Sequence, residues 1–368
     1  MKFPRMAIEQ EAPEQLGYER IRSNLTESSV RDRSLRELSV DLSDLPLAYT
    51  DHMGHPGLRE LVAASAGAGT SGDDVMLAAG ASSALFMTAM AVLEPGDHVI
   101  VVRPNYATNI ETPRILRCRV DLLDLEFEHG FAIDVGRVRA LLRPDTKLVS
   151  VTAPHNPTGV APTLECLREL AEITAATGAR LLVDETYRDL AFAEPLPMAA
   201  TLGEHVIGVS SLSKAYGIPG IRLGWVMAQD PALMQQLLCA KEQIGICGSV
   251  IDEAIGYHAY AARGQWLPEN RRHLQAQFER VRRWLADEPL LEWVEPGGGC
   301  VCFPRIRADA DIDTARFYRC LNEVHGTYVG PGHWFEQPDR YFRIGYGWPT
   351  ADELELGLAA ISRALRAA

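Results

Sequence analysis

Lysine is nearly absent from this chain. Of its 36 basic residues only four are lysines (Lys2, Lys147, Lys214 and Lys241), leaving 32 arginines. Surface positive charge is therefore written as arginine. A guanidinium cannot lose its proton and cannot condense with a carbonyl. A lysine kept inside a loop of small residues then points to a need for an amine rather than for a charge. Other shortages exclude whole classes. No run of about 18 apolar residues exists, so no membrane-spanning helix is expected. The opening MKFPRMAIEQEAPEQ is acidic and has no apolar stretch, so no secretory leader is expected. The seven cysteines (Cys118, Cys166, Cys239, Cys247, Cys300, Cys302 and Cys320) contain no C-x-x-C and are odd in number. They read as reduced core thiols of a cytoplasmic protein, not as disulfides or metal ligands. The net charge is −13, with no basic stripe and no zinc-finger spacing, which excludes a nucleic-acid binder.

What is present is a globular balance, 47% hydrophobic and 23% charged over 368 residues. That is enough for one large domain with a satellite. Residues 1–45 are mixed and polar, and read as an extended arm contributing to the small domain. From about 46 to 245 short apolar runs alternate with helical stretches: VMLAAG (75–80), HVIVVR (98–103), RVDLLDL (119–125), KLVSVT (147–152), RLLVDE (180–185), HVIGVS (205–210) and RLGWVMA (222–228). Continuous Val/Ile/Leu strands between helices predict an α/β domain whose mostly parallel, doubly wound sheet is covered on both faces. From 246 to 368 the pattern becomes long amphipathic helices near 249–263 and 270–287, a Gly-rich turn into a strand at 293–306, a helix near 312–323, the strand RYFRIGYG (340–347) and a closing helix at 350–366. This predicts a smaller α/β domain.

Ligands of such sheets bind at the carboxyl ends of the strands. The residues expected there are Gly80-Ala81-Ser82, Tyr106, Asn156, Asp184 with Tyr187, Ser211, Ser213, Lys214 and Arg222. Together they supply a helix N-terminus, hydroxyls, a guanidinium, an aromatic ring, a carboxylate and an amine, the set that pyridoxal 5′-phosphate requires. Gly80-Ala81-Ser82 opens a helix whose free N–H groups hold phosphate; taken alone, the same residues make a plain N-cap. Ser211, Ser213 and Arg222 add hydroxyls and a bidentate fork. Asp184 ends an apolar strand, where a buried carboxylate needs a cationic partner; the alternative is a cap for the next helix. Asn156 and Tyr187 donate to the ring oxygen, and Tyr106 stacks on the ring or simply packs. Lys214, in the turn SSLSKAYGIPGIRLGW, is the amine.

These stretches carry a resemblance. YTDHMGHPGLRE (49–60), APHNPTG (153–159), VDETYRDL (183–190), SLSKAYGIPGIRLGW (211–225) and RYFRIGYG (340–347) resemble, in this order, the class I/II aminotransferases of the aspartate-aminotransferase fold, fold type I. The resemblance spans residues 49–347. It implies that Lys214 is the Schiff-base lysine, Asp184 the pyridinium partner, Asn156 and Tyr187 the 3-oxygen partners, and Ala81, Ser82, Ser211, Ser213 and Arg222 the phosphate site. It implies that Tyr106 stacks on the ring, that Tyr49 reaches the partner subunit's phosphate in a homodimer with shared sites, and that Arg343, with Asn156, holds the substrate carboxylate. A structural Arg343 paired with Asp339 or Glu336 is the alternative for that residue. The implied activity moves an amino group between an L-amino acid and a 2-oxo acid. Cyclases of the capreomycidine-synthase kind, lyases, decarboxylases and oxidases share these motifs, and a non-catalytic regulator on the same fold is the remaining alternative. NLTESSV (24–30) stands where many members carry a Gly-Glu-Pro-like segment over the substrate, a departure that bears on substrate specificity. His333 and Trp334 are expected near the entrance, as packing rather than recognition.

Overall fold

The apolar runs between Val75 and Met227 pair into a seven-stranded sheet in the computed structural model, which describes residues 2–368. One arm strand precedes it, β1 (Ser23–Leu25). The sheet comprises β2 (Val75–Ala78), β3 (His98–Arg103), β4 (Arg119–Asp124), β5 (Thr146–Thr152), β6 (Arg180–Asp184), β7 (Val206–Ser211) and β8 (Gly224–Met227), in the spatial order β2-β8-β7-β6-β5-β3-β4. All neighbours are parallel except β8, which runs antiparallel between β2 and β7. Successive side chains alternate between two buried faces. Val99 and Val101 pack with the helices Gly80–Val92 and Pro231–Gly245, while Ile100 and Val102 pack with Leu164–Thr177. Each such side chain, fully buried, contributes about 1.5–3 kcal/mol.

Several of the flanking helices are closed at their start by a side chain. Thr163 Oγ1 accepts the Cys166 N–H at 3.1 Å, and Asp230 Oδ1 accepts the Ala232 N–H at 2.9 Å. The helix Gly80–Val92 is different: Ala79 precedes it and supplies no side-chain cap. Its leading N–H groups remain available at the carboxyl edge of the sheet.

The remaining strands are β9 (Leu291–Glu292), β10 (Val301–Cys302), β11 (Arg305–Ile306), β12 (Thr327–Pro331) and β13 (Phe342–Gly345). A second sheet has the order β1-β12-β13-β10, with β1 parallel to β12. Its amphipathic cover is the helix Ala351–Ala367, which buries Leu354, Leu358, Ile361 and Leu365 and starts with a Thr350–Glu353 capping box.

Three expectations are corrected. The arm is not simply extended: it forms one-turn helices at Ala7–Gln10, Pro13–Leu16 and Leu35–Leu38 around β1, the second started by Pro13 and the third by a Ser34–Glu37 capping box. The helix expected from about 270 begins at Arg263 and runs through Pro268, which removes one backbone donor in its second turn without ending it. The helix near 312–323 is Thr314–Arg319 followed by a π turn at Cys320–Val324. Among the described residues no helix is long and apolar enough to cross a membrane, and no group of three or more His, Cys, Asp or Glu side chains is placed to hold a metal.

Candidate active site

A cavity of about 600 Å³ opens at the carboxyl edge of the large sheet. Ala81 and Ser82 line it from the helix start, Tyr106 from beyond β3 and Asn156 from beyond β5. Asp184 and Tyr187 line it from the end of β6, and Ser211, Ser213 and Lys214 from the end of β7. Arg222 also lines it, but from the start of β8. Because β8 runs backwards, its beginning reaches the edge where its parallel neighbours end. Arg343 enters from β13 of the second sheet. Tyr49 does not line this cavity; it is 82% exposed on the outer surface.

The amine is held by the arm. Lys214 Nζ donates to Ser28 Oγ at 3.0 Å, and the Val30 N–H donates to the Lys214 carbonyl at 3.0 Å. Desolvation holds the Lys214 ammonium below its ordinary pKa; Arg343 and Arg222 push the same way, and Glu27 opposes them. Lys147, by contrast, is exposed at the opposite end of β5. Lys241 is buried outside the cavity, its Nζ without a hydrogen-bond partner among the described residues.

Asp184 is 5% exposed and does not cap a helix. Its Oδ1 accepts from Thr186 Oγ1 at 2.6 Å and the Thr186 N–H at 3.2 Å, and its Oδ2 from Asn109 Nδ2 at 3.4 Å. All three donors are neutral. Burial lifts the carboxyl above the ordinary aspartate range, and those hydrogen bonds oppose the lift. No lysine, arginine or histidine nitrogen lies within 4 Å of this carboxylate among the described residues, Lys214 acts on it only from farther off, and a pyridinium N–H fits it.

The uncapped helix start has features that fit an anion such as a phosphate. Gly80 takes φ +80°, and a Cβ there would lie 2.6 Å from Arg222 Nη2, so only glycine lets the guanidinium close over the uncapped helix start. Arg222 itself is in the left-handed region at φ +46°, a strained conformation of the kind that gathers at ligand clamps. Tyr106 Oη meets Ser82 Oγ and donates to Glu9 Oε1, both at 3.2 Å.

Arg343 is 3% exposed. It pairs with neither Asp339 nor Glu336. The first partners His333 and the second partners Arg103 and Arg114. Instead Arg343 Nη1 donates to Asn156 Oδ1 at 3.0 Å and Nη2 to the Thr26 carbonyl at 2.7 Å, while Nε has no partner among the described residues. Trp334 lines the cavity and donates to Glu11 Oε2 at 2.7 Å; His333 bonds the same oxygen at 2.9 Å from outside. Several contributors escaped the sequence reading. Thr26, Glu27 and Ser28 come from NLTESSV, and Asn109 and Thr186 stand behind Asp184. The resemblance singles out the segment of the first three but not which of its side chains line the cavity, which depends on the pairing of distant segments.

The fold and this array of groups define a pyridoxal-phosphate-dependent enzyme, and comparison with known proteins agrees. The family model for aminotransferase class I and II matches residues 36–361, and the chain belongs to that family. It is 34% identical to capreomycidine synthase of Streptomyces vinaceus over 361 residues, covering 95% of this chain and 91% of that one. It is 31% identical to an arginine–pyruvate transaminase of Pseudomonas aeruginosa over 338 residues, covering 87% and 80%. A solved PLP-dependent aminotransferase from Streptococcus suis superposes with a TM-score of 0.92 at 30% identity, covering 100% of this chain and 98% of that chain.

Proposed function

We propose that this chain transaminates a primary L-amino acid against a 2-oxo acid, with Lys214 as the proton carrier. The carrying observation is the meeting of one desolvated amine, one buried unpaired carboxylate and one uncapped helix end around a single cavity. When bound, pyridoxal phosphate holds the substrate nitrogen covalently and withdraws electrons from its α-carbon. Ala81, Ser82, Ser211, Ser213 and Arg222 would hold the phosphate, Asp184 the ring nitrogen, and Asn156 and Tyr187 the ring oxygen. Tyr106 would cover a ring face. Arg343 would fix the substrate α-carboxylate through its fork, orienting the Cα–H bond toward Lys214 Nζ. An amine held below its ordinary pKa is present as the neutral base more often than a surface lysine, and so is available to accept that proton. The name of the Pseudomonas relative supports a 2-oxo acid acceptor.

We further propose a cytoplasmic homodimer in which Tyr49 serves the neighbouring site. Leu47 and Tyr49, at 77% and 82% exposure, and Ile244, at 57%, support an apolar contact face on segments joined by the His52–Glu242 pair at 2.6 Å. A chain that stays monomeric yet fully active at assay dilution contradicts this. A cyclase or another chemistry at the same α-carbon is the second reading, supported by the 34% identity to capreomycidine synthase. Incubation with single amino acids separates the two. Release of a 2-oxo acid, with transfer to an added acceptor, is expected; turnover without any 2-oxo acid favours the second reading and refutes the first.

A further inference from the structure

The cavity that receives the amino acid also carries four carboxylates from the arm: Glu9, Glu14, Glu27 and Asp32. None of them has a lysine, arginine or histidine nitrogen within 4 Å among the described residues, although paired acids are common elsewhere on the surface. Glu27 is central. Its neighbour Thr26 gives its carbonyl to Arg343, so the carboxylate anchor and this acid are one residue apart. Tyr18 Oη and Asn24 Nδ2 reach Glu27 Oε1 at 3.3 and 3.4 Å, and no donor among the described residues reaches Oε2. The backbone is fixed as well: a Cβ at Gly345 would collide with the Glu27 carbonyl, so β13 is pressed against it.

Without ligands, the charges that compensate Glu27 are Lys214 and, more weakly, Arg343. In the working site Arg343 is claimed by the substrate carboxylate, and Lys214 is held as the neutral base that takes the Cα proton. Glu27, already lifted above the ordinary glutamate range by burial, then stands without a counter-charge beside Glu14 and Asp32. Glu27 is half-buried, and a partly desolvated carboxylate lining a cavity is matched by a cation. The unpartnered, buried Nε of Arg343 marks independently where the ligand's carboxylate end lies.

We infer that the substrate is an L-amino acid with a cationic side chain, guanidinium or ammonium, whose head is received by Glu27 with Glu14 and Asp32 alongside. The inference rests on the amino-acid-binding reading above and names its substrate class. An acidic or purely apolar side chain reaching this wall of the cavity would meet the arm's carboxylates instead.

The test uses the holoenzyme without a 2-oxo acid and follows the visible absorbance of its lysine–cofactor adduct. L-Arginine is titrated against its neutral isostere L-citrulline, and L-lysine against L-2-aminoheptanoate, in which a methyl stands for the ammonium. A charge-assisted hydrogen bond of this kind gives an apparent Kd about ten- to a hundredfold lower for at least one cation than for its isostere. Glu27→Gln should bring that ratio close to one. Glu14→Gln, on an exposed one-turn helix where folding is not at risk, should narrow it by about two- to threefold, as expected of a nearby screened charge. Neutral isosteres that bind as tightly as both cations, or a ratio that survives Glu27→Gln, overturn the inference. A holoenzyme lacking the adduct band, or one whose band responds to no amino acid, instead overturns the functional reading beneath it.

Discussion

The two sides of the cavity are built in opposite ways. On the sheet side, Tyr106, Asn156, Asp184 and Lys214 follow the ends of strands locked between two neighbours, as Asp184 does on β6 between β5 and β7. On the arm side, Ser28, Glu27 and Glu14 hang from a three-residue strand, a one-turn helix and the turns between them. The arm is stitched to the lysine loop by the Val30–Lys214 and Arg33–Gly217 backbone bonds at 3.0 and 2.7 Å. On the proposed reading the chemistry sits on the rigid wall, and recognition of the substrate side chain sits on a segment whose replacement would leave the sheet intact.

The sharpest way to break this division is Lys214→Ala. Activity should fall by about four orders of magnitude or more, with loss of the visible lysine–cofactor band. Retained absorbance on Lys147 or Lys241 would move the chemistry to another wall. Next is Arg343→Ala, which touches both walls through Asn156 and Thr26. Loss of a bidentate, desolvated contact should cost about 3 kcal/mol, roughly a hundredfold in kcat/KM. The amino acid should suffer far more than its decarboxylated amine; equal losses would place the carboxylate elsewhere. Smaller again is Gly345→Ala. The added methyl should push the arm off β13, at a cost of about 1–3 kcal/mol in overpacking. Thermal unfolding and limited proteolysis between residues 20 and 32 read this, and unchanged protection of the arm would show that it is held by other means.

The smallest expected effect is His333→Gln. Asp339 and Glu11 raise the His333 pKa to about 9 from the ordinary 6.5. A histidine pKa raised by folding stabilises fully below the unfolded value and loses that contribution as pH climbs through the folded one. The wild type should therefore melt slightly above the variant near pH 6, by about 1 °C given the exposure of the pair, and the gap should close above pH 9. A gap that widens with pH would rule out the ion pair as a tether of the arm.

Legibility in the sequence followed the same division. The edge of a parallel sheet imposes local pattern: an apolar run, then a small or polar residue, then a helix. Asp184 after LLV and Lys214 after HVIGVSSLS could be placed from their own neighbourhoods. Arg222 is legible as a strand-end residue, but its route through an antiparallel β8 is not, because a short apolar run carries no direction. Glu27 and Ser28 reach the site only because β1 pairs with β12, Ser23 opposite Thr327, some 300 residues away. NLTESSV has no hydrophobic period to announce that pairing. The one-turn helices of the arm are below the length at which a periodic signal exists.

The bare start of the helix Gly80–Val92 has a consequence for the life of the protein. Four N–H groups and a strained Arg222 are left for an anion that the chain does not provide, so the folded state without it is the less stable one. Binding at a hundredfold above Kd would add about 2.7 kcal/mol to unfolding. The amount of intact protein should then follow the supply of cofactor, with cofactor-free chains cleared first. Melting curves with rising pyridoxal phosphate should climb accordingly, and curves that do not move would mean that the helix end contributes nothing to retention of the protein.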